Sequence, residues 1–362
     1  MNEAKQTNIN PATLTNVLSK MLTTNISHAD YKTEQLQGGT VGEVLLISGQ
    51  AESYEGKQPF KVVLKIQKKW ERYADPDSWR REYDLYASNL GEYFLDNLRW
   101  PKCYHMEITD DETQLWLEYI KGITGLDMTT EMYVRAAEEL GRFHGRLYAL
   151  QPPEIINIKN LSGLDAMEKF YRHYKSWNVV HDYVRSEKCE IPAHLTKMIT
   201  DTDESANEIF RKIETLPIVL CHRDFWVTNI ICSEKTDEAC HLPLIALIDW
   251  DTTGWGYLGE DLASLIADEA DVEHMLEYYK RCVPAYYKGF SEYADIPGLH
   301  KQAVCPANGQ PYTPNLYIRE RIILHFGYRL IEWYLYAETP ENKQLHLDTL
   351  QKIYEMETIN DQ

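Results

Sequence analysis

The order of hydrophobic periods predicts an α+β fold of two lobes, a small antiparallel-sheet lobe followed by a larger mostly helical lobe. Three observations carry this. Strand-like stretches rich in β-branched and aliphatic residues cluster between about residues 32 and 119, and helical spacing dominates beyond Gly122. A short β interlude within 218–250 interrupts the helices. Runs of strands followed by runs of helices segregate the two kinds of element, which argues against alternating βαβ units. The expected division is 1–120 and 121–362.

Each element has a local reason. Asn10 is placed to cap a first helix, Pro11 suits its first position, and Leu14, Leu18, Met21 and Leu22 recur at helical spacing. Segments 32–36, 41–48 and 60–67 read as an antiparallel meander, with a turn-like polar stretch over 49–59. Trp79, Tyr83, Tyr86 and Leu90 mark one face of a helix over 77–90. Two more strands are predicted over 102–108 and 113–119, joined by the acidic turn Asp110-Asp111-Glu112. Helices follow over 130–150, 164–183 and 192–216, then strands within 218–232 and over 244–250. From Asp261 onward helical patterns return, notably over 317–337.

At 362 residues the chain is about two and a half times a ~150-residue domain, so one large two-lobed unit or two ordinary domains both fit. A hydrophobic content of 44% with 26% charged residues excludes wholesale disorder. With 37 Lys and Arg against 56 Asp and Glu, the net charge is −19. That argues against nucleic acid or an anionic membrane as the main partner, because both demand basic patches. No apolar run approaches the ~18 residues of a membrane span, and the polar first ten residues have no apolar core of a secretory signal. Seven cysteines without a C-x-x-C pair suggest reduced thiols and a cytoplasmic location. The Cys221-His222 and Cys240-His241 doublets match no common zinc spacing.

Chemistry concentrates in Cys221-His222-Arg223-Asp224-Phe225-Trp226-Val227-Thr228-Asn229, an H-R-D-x-x-x-x-N pattern between two apolar stretches. Phosphoryl transfer from ATP to a hydroxyl needs a carboxylate that orients the hydroxyl and takes its proton. It also needs an amide oxygen nearby to hold Mg²⁺. Asp224 and Asn229, five positions apart, let one loop present both. Downstream, Ile245-Ala246-Leu247-Ile248-Asp249 places a carboxylate after a buried-looking strand, where a second metal ligand is expected. His222 is expected to brace the loop by hydrogen bonding instead of acting as a base.

In the small lobe, Val62-Val63-Leu64-Lys65-Ile66 puts a lysine inside an apolar strand, where an unpaired ammonium is costly. Pairing with Glu82 and with nucleotide phosphate resolves that cost. Gly38-Gly39-Thr40-Val41-Gly42 suits either a phosphate-covering turn, with Gly39 and Thr40 at its tip, or a plain glycine turn. The backbone of Glu118 and Ile120, where the small lobe ends, is placed to hydrogen-bond adenine. Trp250, Trp255 and Tyr257 suit either an acceptor pocket or the lobe's core.

On these residues the chain resembles the aminoglycoside phosphotransferase and choline kinase superfamily, small-molecule kinases with the protein-kinase fold. The likeness runs from about residue 33 to 337. The resemblance implies a protein-kinase-like fold with 1–120 as nucleotide-binding lobe and 121–362 as catalytic and acceptor-binding lobe. It implies Asp224 as the catalytic residue, Asn229 and Asp249 as metal ligands, and Lys65 with Glu82 at the nucleotide. Leu140-Gly141-Arg142-Phe143-His144-Gly145 looks like the family's L-x-x-x-H signature, which implies a packed helix, and Asp261 in Gly259-Glu260-Asp261-Leu262-Ala263 implies a structural anchor. Arg223 stands where the family usually has glycine. The implied cofactors are ATP and Mg²⁺, and the implied partner is a small-molecule hydroxyl acceptor such as an amino alcohol, a sugar or an aminoglycoside-like compound. A pseudokinase or nucleotide-binding module is the alternative. A protein kinase fits less well, because Trp226 replaces the usual lysine and Asp249 lies only eleven positions before Glu260 with no A-P-E following.

Overall fold

The computed structural model of the chain describes residues 9–36, 42–70, 75–95, 97–175, 178–236, 243–296 and 314–357. In chain order the first elements are α1 (Pro11–Leu22), β1 (Ile26–Gln35), β2 (Gly42–Ser53), β3 (Gly56–Lys68) and α2 (Ser78–Tyr86). Then come β4 (Leu98–Arg99), β5 (Cys103–Ile108), β6 (Glu112–Glu118), β7 (Gly122–Ile123), α3 (Thr130–Leu150), α4 (Pro153–Ile156), α5 (Ala166–Lys175) and α6 (Asn178–Val184). The remainder is α7 (Ala193–Glu204), α8 (Ala206–Ile213), β8 (Ile218–Cys221), β9 (Ile230–Thr236), β10 (Pro243–Leu247), β11 (Gly254–Tyr257), α9 (Glu260–Ala267), α10 (Met275–Ser291), α11 (Ile318–Tyr336) and α12 (Pro340–Glu355). The chain forms two compact units: Met1–Ala87 with Trp100–Ile120, and Ser88–Arg99 with Lys121–Gln362.

The first unit is an antiparallel sheet in the order β1-β2-β3-β6-β5. Asn10 caps α1, its side-chain oxygen accepting from the Ala12 N–H at 2.9 Å, with Pro11 at the first helical position. Strand alternation sends Phe60, Val62, Leu64 and Ile66 of β3 into one core with Leu14, Val17 and Leu18 of α1 and with Ile47 and Trp116. Lys61, Val63 and Lys65 therefore lie on the opposite face of β3.

The turn expected over 49–59 is mostly strand. β2 runs through Gly49 to Ser53, β3 begins at Gly56, and only Tyr54 and Glu55 form the turn. Gly49 and Pro59 mislead for separate reasons. Gly49 faces Tyr31 across the β1–β2 ladder, and a Cβ there would stand 1.9 Å from the Asp30 carbonyl oxygen. Pro59 pairs with Gln50 on β2, while the β3–β6 ladder begins only at Val62, so its missing N–H interrupts no second ladder.

In the second unit β4, β10, β9 and β7 form one sheet and β11 pairs with β8. The expected first lobe, 1–120, included residues 88–99. These group with the second unit because Leu98 and Arg99 pair in parallel with Ile245 and Ala246, and because Arg146 Nη1 donates to the carbonyls of Tyr93 and Phe94 at 3.2 and 3.1 Å. The long helices α3 and α10 meet closely, and a Cβ on Gly141 would lie 2.0 Å from the Tyr286 carbonyl oxygen. His144, one turn along the same helix, is buried with Nδ1 2.7 Å from the Tyr286 hydroxyl. Burial drives its pKa down to about 3, so it is a neutral packing residue. Among the described residues no helix is long and apolar enough to cross a membrane.

Candidate active site

Strand β8 delivers the chain to His222, and the following loop is held from several sides. Asp261, near the start of α9, accepts the backbone N–H of His222 at 2.9 Å and of Arg223 at 2.7 Å, one on each carboxylate oxygen. Thr252 Oγ1 donates to the His222 carbonyl at 2.9 Å. His222 Nε2 lies 3.0 Å from the carbonyl oxygen of Ile248, so that nitrogen carries the proton and the ring joins the loop to the end of β10. Trp250 stands edge-on to His222 with centroids 4.5 Å apart, and it is buried with Nε1 donating to Leu247 O at 3.0 Å. Trp250 is a core residue. Trp255 and Tyr257 are half-buried on β11.

Asp224 and Asn229 come together within this loop. Asn229 Nδ2 donates to the Asp224 carbonyl at 2.9 Å and to its Oδ2 at 2.7 Å. Both amide hydrogens are thereby committed to Asp224, and the Asn229 Oδ1 is left as an oxygen donor for a cation. The β9–β10 ladder brings the second carboxylate to the same place. Ile230 pairs with Leu247, and the Ile248 N–H donates to the Asn229 carbonyl at 3.0 Å, so Asp249 follows directly beside Asn229. Burial, together with the charges of Asp249, Asp251 and Asp268, pushes the Asp224 carboxyl up to about 7, against the Asn229 hydrogen bond.

These donors fit Mg²⁺. An amide oxygen and carboxylates are hard oxygen ligands, and the carboxylate repulsion that adds to burial in raising Asp224 is what a divalent cation relieves. Among the described residues no group of three or more His, Cys, Asp or Glu side chains is arranged to hold a metal alone. One amide oxygen and one carboxylate leave most of an octahedral shell to phosphate oxygens and water, which is how Mg²⁺ is usually held.

In the first unit Lys65 Nζ lies 2.5 Å from Glu82 Oε2, with side-chain exposures of 12% and 3%. The reason for the burial differs from the expected one. Leu64 and Ile66, which bracket Lys65 in sequence, point to the α1 core, whereas Lys65 is covered from the α2 side where Glu82 resides. Lys61 and Lys69 are exposed and lie over the rings of Tyr119 and Trp79 at 4.8 and 5.9 Å. Glu118 ends β6, where its N–H donates to Lys102 O at 2.8 Å and its Oε2 accepts from Lys102 N at 3.1 Å, and Ile120 is the last residue of the unit. Gly39 and Thr40 lie outside the described residues.

The first unit thus carries a lysine–glutamate pair on strand and helix, and the second an Asp224–Asn229 hydrogen bond in a loop followed by the β9–β10 hairpin. The family model of the phosphotransferase enzyme family matches residues 54–291. The chain belongs to this family. As a phosphotransferase it also shares its fold with solved structures. An aminoglycoside 2'-phosphotransferase in its GDP complex is 14% identical, covering 95% of this chain and 98% of its own at a TM-score of 0.52. A microcompartment-associated aminopropanol kinase is 12% identical, covering 93% and 94% at 0.51. A choline kinase from Cryptosporidium parvum is 13% identical, covering 91% and 90% at 0.51. These likenesses establish the protein-kinase-like α+β fold. No curated protein sequence matches the chain.

Sequence reasoning found Asp261 and His222 as holders of this phosphotransferase's loop, but not the further residues that charge it or engage Arg223. Asp251 and Asp268 raise Asp224, and Ser162, Gly163 and Glu260 engage Arg223. Glu260 lies in the Gly259-Glu260-Asp261-Leu262-Ala263 segment, singled out for Asp261. Ser162, in an ordinary polar turn sixty-odd residues upstream, carries no signal of its own.

Proposed function

We propose that the chain transfers the γ-phosphoryl group of ATP, with Mg²⁺, to a hydroxyl of a small molecule: an amino alcohol, a sugar or an aminoglycoside-like compound. The observation that carries this reading is the Asp224–Asn229 pair with Asp249 alongside, a carboxylate held near neutrality beside an oxygen donor set for a hard cation. Asp224 orients the acceptor hydroxyl and accepts its proton as the oxygen attacks phosphorus. Its raised pKa suits a base that works near pH 7. Asn229 and Asp249 hold the cation, which when bound neutralises phosphate charge. Lys65, kept charged and aimed by Glu82, takes up further phosphate charge. The backbone at Glu118 and Ile120 receives the adenine. Positioning and electrostatics, with little covalent work by the protein, supply the rate.

The acceptor class is supported by the aminopropanol and choline kinases and the aminoglycoside phosphotransferase that share the fold. A cytoplasmic location is supported by the free thiols of Cys103, Cys189, Cys221, Cys232 and Cys282. The test is ADP release from Mg-ATP with a panel of amino alcohols, sugars and aminoglycosides, alongside a generic protein substrate. Turnover with one of the small molecules is the expected result. Turnover with the protein alone, or ATP binding without turnover on any acceptor offered, would replace the reading by a protein kinase or a pseudokinase.

A further inference from the structure

Arg223 immediately precedes Asp224, and its backbone and side chain are both unusual. Its φ of 66° lies in the left-handed region that glycine adopts freely and arginine does not. Its guanidinium reaches acceptors on three separate chain segments. Nε donates to Glu260 Oε1 at 2.8 Å, Nη1 to Ser162 Oγ at 2.5 Å, and Nη2 to the carbonyls of Gly163 at 2.9 Å and Trp255 at 2.5 Å. The segments are themselves joined. The Trp255 N–H donates to Ser162 O at 3.0 Å, Ser162 Oγ donates to Thr252 O at 3.0 Å, and Glu260 Oε2 accepts from the Tyr257 N–H at 3.2 Å. Arg223 and Glu260 side chains are each only 9% exposed, so this is an interior fixture and not a surface ion pair.

We propose that Arg223 is a positioning residue for phosphoryl transfer, its guanidinium fixing the strained backbone from which the Asp224 carboxylate reaches the acceptor hydroxyl. This rests on the reading of Asp224 given above. A strained left-handed residue persists only where its surroundings over-determine it, and here Asp261 holds the Arg223 N–H while the residue's own guanidinium holds the other side. The planar fork of arginine matches acceptors in several directions, while a lysine ammonium offers one point of charge. A loop so held keeps its carboxylate in place between turnovers, and loosening it costs rate without costing nucleotide affinity.

Arg223→Gly removes the guanidinium and leaves a residue that accepts the backbone angle without strain, so any loss of rate reads the fork's hold on the loop. The assay is ADP release from Mg-ATP with the best acceptor of the panel, or with water if none serves. The expected result is a kcat lower by roughly 10- to 100-fold with KM for Mg-ATP within about twofold of wild type. Millimolar guanidinium hydrochloride should restore part of the kcat, methylammonium chloride should not, and Arg223→Lys should stay impaired. A kcat for Arg223→Gly within about twofold of wild type, while Asp224→Ala is inactive, would overturn the proposal. Full turnover by Asp224→Ala would instead remove the reading on which it rests. If Arg223→Gly fails to fold, Ser162→Ala and Glu260→Gln decide, since each loosens one side of the fixture. A kcat reduced about threefold at unchanged KM supports the proposal, and unchanged kcat in both overturns it.

Discussion

Asp224 carries two opposing demands at the scale of a single residue. Burial beside Asp249, Asp251 and Asp268 raises its carboxyl to about 7, so ionising it near neutral pH works against the fold. A group whose folded pKa is raised from 3.8 binds a proton more readily folded than unfolded. Its penalty is therefore absent below pH ~4, grows as pH rises, and is complete above pH ~7. Asp224→Asn, assayed without metal, should accordingly be more stable than wild type by about 1–3 kcal/mol at pH 7.5 and equal to it near pH 4. Urea unfolding at the two pH values checks this, and an advantage that grows toward acid would contradict it. Lys65 gives a second test. Lys65→Ala should lose ~100-fold or more in turnover. It also takes the ammonium away from the buried Glu82, so the chain should lose stability that Lys65→Met with Glu82→Gln recovers in part, without recovering turnover. Lys61→Ala and Lys69→Ala should change either property little, because both ammonium groups are exposed. The Asp224–Asn229 pairing and the Lys65–Glu82 ion pair were legible in the sequence, since both follow from residue type and spacing. Asp251, Asp268 and Ser162 were not, because only the folded chain brings them near the loop.

Among the elements, the β9–β10 ladder does the placing. Its register sets Asn229 against Ile248 and so puts Asp249 beside the loop. Asp249→Ala should therefore weaken the Mg²⁺ dependence of ATP binding measured by calorimetry, leaving the affinity for metal-free ATP within about twofold. Equal coupling to Mg²⁺ in both proteins would contradict the assignment. Strands and helices with clear apolar periods were readable, and α3 runs over the expected 130–150. The β2–β3 turn was misread because Gly49 and Pro59 signal a turn by composition, whereas Gly49 answers to the close approach of β1. Gly49→Ala should consequently cost about 1–3 kcal/mol in thermal or denaturant unfolding, a loss no exposed turn position would show. The pairing of β4 with β10 was unreadable, because two residues from Leu98 to Arg99 carry no period and gain their strand from a partner far along the chain.

For the whole molecule, the net charge of −19 makes acceptor charge measurable. A cationic amino alcohol or aminoglycoside approaches a negative chain, so its kcat/KM should fall as salt shortens the field to about 8 Å at 0.15 M. A neutral sugar should show nearly constant kcat/KM at saturating Mg-ATP, and this contrast separates the acceptor classes that the sequence left open. The α+β class was legible from the segregation of strands and helices. The division of the chain was less so, since 88–99 joins the second unit through contacts with no local signature. The role proposed for Asp224 is to drive transfer of phosphoryl from ATP to a small hydroxyl compound. Its most direct test is single-turnover transfer from ATP to the best acceptor of the panel, followed by ³¹P NMR, in wild type and Asp224→Asn with Mg-ATP affinity measured alongside. Wild type should give ADP and a phosphomonoester. The variant should bind Mg-ATP as wild type does and transfer ~10²- to 10⁴-fold more slowly, whereas transfer by Asp224→Asn at a rate near that of wild type would rule out that role for Asp224.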